Sequence, residues 1–253
     1  MDALILAAGY SRRLEPLTLA RAKPLLPVGG RPMVDYVLEK VERVPGLART
    51  FLVTNDKFYA DFAVWGRDHP RVLLVNDGTR SYEGRLGAIG DMEIVVRAQA
   101  VSSDLLVVAG DNLFDAELAA FAADARTRAP RVSVGVVEIH DRALIRGRYG
   151  VVVLGPDGRV TDFAEKPEEP KTHLVSTGIY YFPQSALTCL AAYLQGGENP
   201  DNVGYLIRSL VSSLGVCGVR LPGRWYDIGD MASYELADRT FAPQGRVSAE
   251  GEI

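Results

Sequence analysis

The sequence predicts an α/β fold: a Rossmann-like, mostly parallel mixed sheet flanked by helices, with a smaller β-rich excursion. Three observations lead there. Up to about residue 130, short apolar strand-like runs alternate with segments of helical periodicity. The runs end in glycine, asparagine or aspartate, the residues that punctuate strand ends. Beyond about residue 131 the strand-like runs crowd together around the turn signal "GPDGR".

Each element follows from its own pattern. "ALILAA" is a buried strand ending at Gly9. Met33–Val44 repeats Val34, Val37, Leu38, Val41 and Val44 at helical spacing. "TFLVT" reads as strand, Asp56–Trp65 as helix, "RVLLVN" as strand and Gly87–Ala98 as helix. "DLLVVAG" is a further strand, and Leu113–Thr127 is helical by its alanine and leucine content. "RVSVGVVEI" and "YGVVVL" are strand-like, and "VTDFAEKP" completes a hairpin across Gly155–Arg159. After the strand "LVSTGIYYF", Pro183 opens the helix "QSALTCLAAYL". Helical "YLIRSLVSSL" and the strand "VCGVRL" follow, and "RWYDIGD" leads into a last helix, "MASYELADRTF", capped by Asp230. One domain over residues 1–241 is the economical reading, with 242–253 as a tail.

With 253 residues the chain is long enough for a sizeable core. Its 47% hydrophobic and 24% charged residues place it among soluble globular proteins. A net charge of −4 counts against a nucleic-acid partner. No apolar stretch reaches the roughly 18–20 residues that span a bilayer, and the start lacks the basic region of a signal peptide. The two cysteines, Cys189 and Cys217, lie far apart in apolar contexts without metal-ligand spacing. A cytoplasmic protein is therefore expected.

In an open parallel sheet, ligands bind beyond the carboxyl ends of the strands. Gly9-Tyr10-Ser11-Arg12-Arg13 follows the first strand, Asn76-Asp77-Gly78-Thr79 the third and Gly110-Asp111-Asn112 the fourth. The first turn is either a solvated basic turn or a phosphate cradle, because glycine lets backbone approach a ligand and arginine offers a fork of donors. It is neither GxGxxG nor a P-loop. Asp111 reads as Mg²⁺ ligand, cap or turn former, and for such an aspartate taken alone a cap or turn is the more common use. Asp227, in "WYDIGD", has no capping role and is the better metal candidate. Glu165 and Lys166 end a strand as a charged hairpin edge, or as ligands for sugar hydroxyls and a phosphate. No Ser-His-Asp order, HExxH or GxSxG occurs, so the chemistry needs no histidine base and no side-chain nucleophile.

Together these turns resemble the sugar-1-phosphate nucleotidylyltransferases, the glucose-1-phosphate thymidylyltransferase and uridylyltransferase group. The matching segments are "LAAGYSRRLEPLT", "AKPLLPVGGRP", "VVAGDNLF", "RYGVVVL", "FAEKPEEPK", "VSTGIYYF" and "WYDIG", in family order from about Asp2 to Phe241. The resemblance implies a Rossmann-like core, about 1–130, that binds an NTP, dTTP or UTP foremost. A sugar-binding part, about 131–241, adds the second metal aspartate. It implies that Leu6, Ala8, Gly9, Tyr10, Ser11 and Arg12 wrap the nucleotide, and that Asn76 and Gly87 lie near the base. Arg13, Lys23 and Asp111 act at the reacting phosphates, and Asp111 and Asp227 hold Mg²⁺. Asn112, Tyr149, Gly150, Glu165, Thr177, Gly178 and Trp225 face the sugar, and Lys166 meets its phosphate. Family members often associate, so a homo-oligomer is possible.

The chain departs from the family in two places. Arg12 stands where the family has a small polar residue, either as an extra phosphate contact or as a solvated charge. "NDGTRSYEGRLGAIGD" is longer than the corresponding segment of the common thymidylyltransferases, and Asn76 stands about where those carry a base-reading glutamine. Two other functions compete: transfer to another acceptor such as an aminocyclitol, heptose or choline phosphate, and a non-catalytic sensor on the same fold.

Overall fold

The structure, a computed structural model, describes residues 1–242; most of the expected tail lies outside them. The first part runs β1 (Asp2–Leu6), α1 (Leu17–Ala20), the short pair β2 (Pro27–Val28) and β3 (Arg31–Pro32), α2 (Met33–Glu42), β4 (Thr50–Thr54), α3 (Tyr59–Trp65), β5 (Val72–Asn76), α4 (Gly87–Ala98), β6 (Leu105–Ala109), β7 (Asn112–Phe114) and α5 (Leu118–Thr127). The second part runs β8 (Val132–Glu138), α6 (Arg142–Ile145), β9 (Gly150–Leu154), β10 (Val160–Glu165), β11 (Leu174–Phe182), α7 (Thr188–Gln195), α8 (Val203–Ser213), β12 (Val216–Arg220), β13 (Trp225–Asp227) and α9 (Met231–Phe241).

Nine strands form one mixed sheet, ordered β10-β9-β11-β6-β1-β4-β5, with β8 beside β11 and β12 beyond it. β6, β1, β4 and β5 are mutually parallel, as the strand–helix alternation predicts. The antiparallel excursion joins through β11. Its second half pairs with β6 and its start with β9, while β8 runs along both halves with a register shift between Ser176 and Tyr180. Gly178 sits in that irregularity at φ 75, a left-handed value that glycine adopts without strain. The bulge places Thr177 and Gly178 beside the ends of the parallel strands.

Apolar side chains fill both faces of the sheet. Leu4, Phe51, Val107 and Phe182 pack with Met92 of α4, Leu190 of α7 and Leu206 of α8 on one face. Ile5, Leu52 and Val108 pack with Val37 of α2, Phe62 of α3 and Phe121 of α5 on the other. Burying such side chains contributes about 1.5–3 kcal/mol each. The periodic residues of α2 (Val34, Val37, Leu38 and Val41) are all buried. Among the described residues, no helix is long and apolar enough to cross a membrane.

Several helix boundaries differ from the sequence reading; after Pro183 a short 3-10 turn, Gln184–Ala186, precedes α7, which starts only at Thr188. Leu113 and Phe114 do not begin a helix; with Asn112 they form β7, which pairs antiparallel with β13. α3 starts at Tyr59 rather than Asp56, because Asn55 Oδ1 accepts a bond from the Phe58 amide and makes the entry a turn. The expected cap of α9 is present: Asp230 Oδ1 accepts from the Ser233 amide at 2.9 Å, and the Ser233 hydroxyl accepts from the Asp230 amide at 3.0 Å. α9 then folds back on the start of the chain. Tyr234 donates to the Pro27 carbonyl, and Asp238 accepts from the Gly29 amide.

Candidate active site

A cleft opens at the carboxyl ends of the parallel strands and has two lobes. The larger, about 480 Å³, runs from the turn after β1 past Asp111 to Asp77 and the first turns of α4. The smaller, about 210 Å³, lies between β7, β9, β10, the β11 bulge and β13. Arg13, Lys166, Gly178 and Tyr180 line both lobes and mark their junction. A cavity of about 580 Å³ lies elsewhere, between α5 and the chain after β12, and shares no residue with either lobe.

The turn after β1 is held from outside. Asn55 donates to the Ala8 carbonyl at 2.8 Å, and Thr18 donates to the Ser11 carbonyl at 2.9 Å. The Tyr10 hydroxyl and Thr79 Oγ1 share a hydrogen bond at 3.1 Å. Among the described residues, no acceptor meets the amides of Gly9, Tyr10 or Ser11. They form an oriented set of donors of the kind that binds anions. Leu6, Ala8, Gly9, Tyr10, Ser11 and Arg13 line the lobe, and so does Gly87 at the start of α4.

Arg12 takes a different place. Its guanidinium carbon sits 5.0 Å from the centroid of the Tyr82 ring, which also meets Arg85 at 3.9 Å. Arg85 in turn forms a two-bonded ion pair with Asp201, at 2.9 and 2.6 Å. Arg12 thus ties the turn after β1 to the long segment after β5 through a cation–π contact. Asn76 is also engaged outside the cleft. Its amide donates to Asp56 at 2.7 Å and its carbonyl accepts from the Gly78 amide at 2.8 Å, so the next residue, Asp77, lines the lobe instead.

The charged centre lies at the junction. Lys23 is 5% exposed, and its Nζ donates to Asp111 Oδ2 at 2.7 Å. The β7–β13 register sets Asp227 directly opposite Asn112, next in sequence to Asp111. Burial and then the Asp111 charge raise the Asp227 carboxyl above its ordinary range, against the opposing pull of Lys23, Arg13 and Arg148. The structure therefore brings together the four residues expected at the reacting phosphates, although they come from distant parts of the chain. Among the described residues, no three His, Cys, Asp or Glu side chains cluster as a metal cage. Two carboxylates are what Mg²⁺ commonly takes from a protein beside substrate phosphates, so the pair fits that ion.

The smaller lobe holds Asn112, Tyr149, Gly150, Glu165, Lys166, Thr177, Gly178 and Trp225, together as expected. Glu165 is buried against α8, where a Cβ on Gly204 would stand 1.9 Å from Glu165 Oε2. Burial raises the Glu165 carboxyl, and the neighbouring Lys166 charge partly offsets this. Lys166 has φ 49, and its Nζ lies 3.9 Å from Glu165 and 3.5 Å from Asn202. Tyr149 and Trp225 meet edge to face at 5.3 Å. Thr177 donates to the Gly135 carbonyl, which leaves its oxygen only an accepting role. Two residues lining this lobe, Asn112 and Trp225, each carry a buried polar atom, Oδ1 and Nε1, with no partner among the described residues. An acceptor and a donor left free in this way suit a hydroxyl-bearing ligand.

Sequence reasoning placed Asp77 in a candidate turn without giving it a role, and missed Tyr82, Arg85, Asp91, Arg148, Tyr180, Asp201 and Asn202 among the lining residues. Asp91 had a signal. It lies four residues after Gly87 and four before Val95, on the buried face of α4, where an acid is out of pattern.

Comparison with known proteins agrees with this geometry. The family model described as "Nucleotidyl transferase" matches residues 2–243. The bifunctional protein GlmU of Methanocaldococcus jannaschii is 28% identical over 90% of this chain and 51% of its own length. The glucose-1-phosphate adenylyltransferase of Thermomicrobium roseum is 29% identical over 91% of this chain and 57% of its own. A protein of Sulfolobus acidocaldarius described as a mannose-1-phosphate guanyltransferase is 29% identical, over 100% of this chain and 67% of its own. The chain thus spans about half the length of the GlmU relative. The fold matches the crystal structure of a protein described as a glucose-1-phosphate thymidylyltransferase from Bacillus anthracis, in complex with a sucrose. That match has a TM-score of 0.80 at 20% identity and covers 95% of both chains. With the predicted fold class observed and the family model matched along the described chain, the protein belongs to the nucleotidyl transferase family.

Proposed function

We propose that the chain transfers a nucleotidyl group from an NTP to a sugar 1-phosphate, releasing pyrophosphate. The observation behind this reading is the two-lobed cleft, whose lobes meet at Arg13 and Lys166 beside the Lys23–Asp111–Asp227 cluster. The larger lobe takes the nucleotide, with its triphosphate on the free amides after β1 and on Arg13. The smaller takes the sugar, with Glu165, Asn112 Oδ1 and Trp225 Nε1 for its hydroxyls and Lys166 for its phosphate.

The reaction needs no proton acceptor. A phosphate monoester has a second pKa of about 6 and is mostly a dianion at neutral pH. One of its oxygens attacks the α-phosphorus, an α-phosphorus–oxygen bond forms, and the bond to the departing pyrophosphate breaks. No histidine lines either lobe. Catalysis then consists of aligning two anions and neutralising their charge, for which Lys23, held by Asp111, and Arg13, at the junction of the lobes, supply the cations. Asp111 and Asp227 would hold Mg²⁺, which supplies further charge neutralisation on the phosphates.

The resemblance favours dTTP or UTP, whereas the names of the relatives span adenylyl, guanyl and thymidylyl transfer. The base is therefore a question for the residues at the far end of the larger lobe. The test is pyrophosphate release with Mg²⁺ across five NTPs and a panel of sugar 1-phosphates. Release in at least one combination is expected. Release only with choline phosphate or an aminocyclitol phosphate would replace the acceptor, and no release with any acceptor would sink the reading.

A further inference from the structure

The nucleotide lobe ends on two buried acids that the transfer chemistry does not use. Asp77 follows β5, three strands across the sheet from β6 and Asp111, a span of about 14 Å at ~4.8 Å per strand. Asp91 faces it from α4. Both line the lobe and are 8% and 6% exposed. Asp77 has a local explanation: its Oδ1 accepts from the Thr79 amide at 2.6 Å and its Oδ2 from the Thr79 hydroxyl at 3.0 Å. Asp91 has Asp77 alone: among the described residues no other donor reaches its buried Oδ1, and no cation pairs with either acid. Two acids buried against each other without a cation are expensive to keep, so their position against a ligand cavity calls for a ligand.

We infer that the Asp77–Asp91 pair reads the nucleobase and selects one bearing an exocyclic amino group (guanine, adenine or cytosine) over uracil and thymine. This rests on the nucleotidyl-transfer reading above. Burial raises both carboxyls, and the Asp77 charge raises Asp91 further, so the pair retains one proton between them at neutral pH. With the Asp91 hydroxyl donating to Asp77, the remaining Asp91 oxygen is an acceptor beside a negative charge. An amino group projecting from the base edge satisfies it. Uracil and thymine offer only a ring N–H set between two carbonyl oxygens, which such a pair repels. The long segment after β5, where the chain departs from its family, supplies Asp77 and is tied down by Arg12, Tyr82 and Arg85.

The test ranks GTP, ATP, CTP, UTP and dTTP by calorimetric binding and by pyrophosphate release, in the wild type and two variants. In the wild type, at least one amino-bearing nucleotide is expected to lead UTP and dTTP by about tenfold or more. Asp91→Asn keeps that order, because its amide repeats the donor and acceptor of the protonated acid. Asp91→Leu removes the acceptor and erases the preference. UTP or dTTP leading in the wild type, or an unchanged ranking in Asp91→Leu, overturns the inference. The wild-type ranking decides alone if the leucine variant does not fold. Binding without release from any nucleotide would count against the transfer reading while still ranking the bases. Release led by UTP would leave that reading standing and sink this one.

Discussion

The two lobes of the cleft are built on different principles. The larger lobe, proposed for the nucleotide, joins the free amides after β1 to a long segment clamped by Arg12, Tyr82, Arg85 and Asp201. The smaller lobe, proposed for the sugar, is lined by residues of antiparallel strands, and two of these residues carry a buried polar atom with no partner among the described residues. Backbone amides suit the invariant part of a ligand, its phosphates. Side chains of the smaller lobe, or a far end closed by an acid pair, suit the part that varies. The contrast predicts that variants at the junction damage turnover with any substrate, and that variants inside a lobe change the handling of one substrate only.

The largest expected effect is at the junction. Lys23→Ala or Arg13→Ala should lower kcat by about 10²–10³-fold, the usual effect of losing one preorganised charge donor. The loss should be similar for every nucleotide and sugar phosphate that the wild type uses. A loss confined to one substrate would break the comparison. Next, Glu165→Gln should raise KM for the sugar phosphate by about 10–100-fold, the range for a hydrogen bond to a charged group. Nucleotide affinity, measured by calorimetry, should stay within about twofold. An equal loss in both would mean that the lobes are not separate.

Stability should respond to the acid pair. The Asp91 carboxyl is raised to about 8 by burial and by Asp77, against an unfolded value of about 3.9. Between these values the folded chain binds a proton that the unfolded chain does not, so wild-type stability falls as pH rises through the window. Asp91→Asn does not titrate. Its Tm advantage over wild type should grow from about pH 4 to about pH 8 and then level off, which thermal melts across that range would show. A constant difference would mean that the acid is not buried as described. The smallest effect is expected at the clamp. Arg12→Ala should weaken nucleotide binding by about 2–5-fold, the worth of an exposed cation–π contact, and leave the sugar phosphate unaffected.

Much of this architecture was legible in the sequence, and the failures share a cause. Parallel strands, α2 and the Asp230 cap announce themselves through local periodicity and capping chemistry. Lys23, Asp111, Glu165 and Asp227 stand in short segments whose order along the chain reveals them. Leu113 and Phe114 were misread because their strand partner, β13, lies far downstream, and local composition carries no trace of it. Arg12 points toward Tyr82 of an unusually long segment and Asn76 toward Asp56 beyond β4, so neither local sequence nor a family pattern places their side chains. Asp91 sits inside a regular helix with no turn to mark it, and the missing partner of its oxygen is visible only once the neighbours are in space.

The pairing of β7 with β13 also has a consequence in time. A chain emerging from the ribosome can form its N-terminal units first. Lys23 and Asp111 are available early, and Asp227 arrives only after the sugar lobe has been made. The centre gains its second carboxylate when β13 docks and α9 closes over the first hairpin. A chain interrupted before β13 would lack both Asp227 and the strand that pairs with β7, so completion of this charge cluster waits on a distant segment.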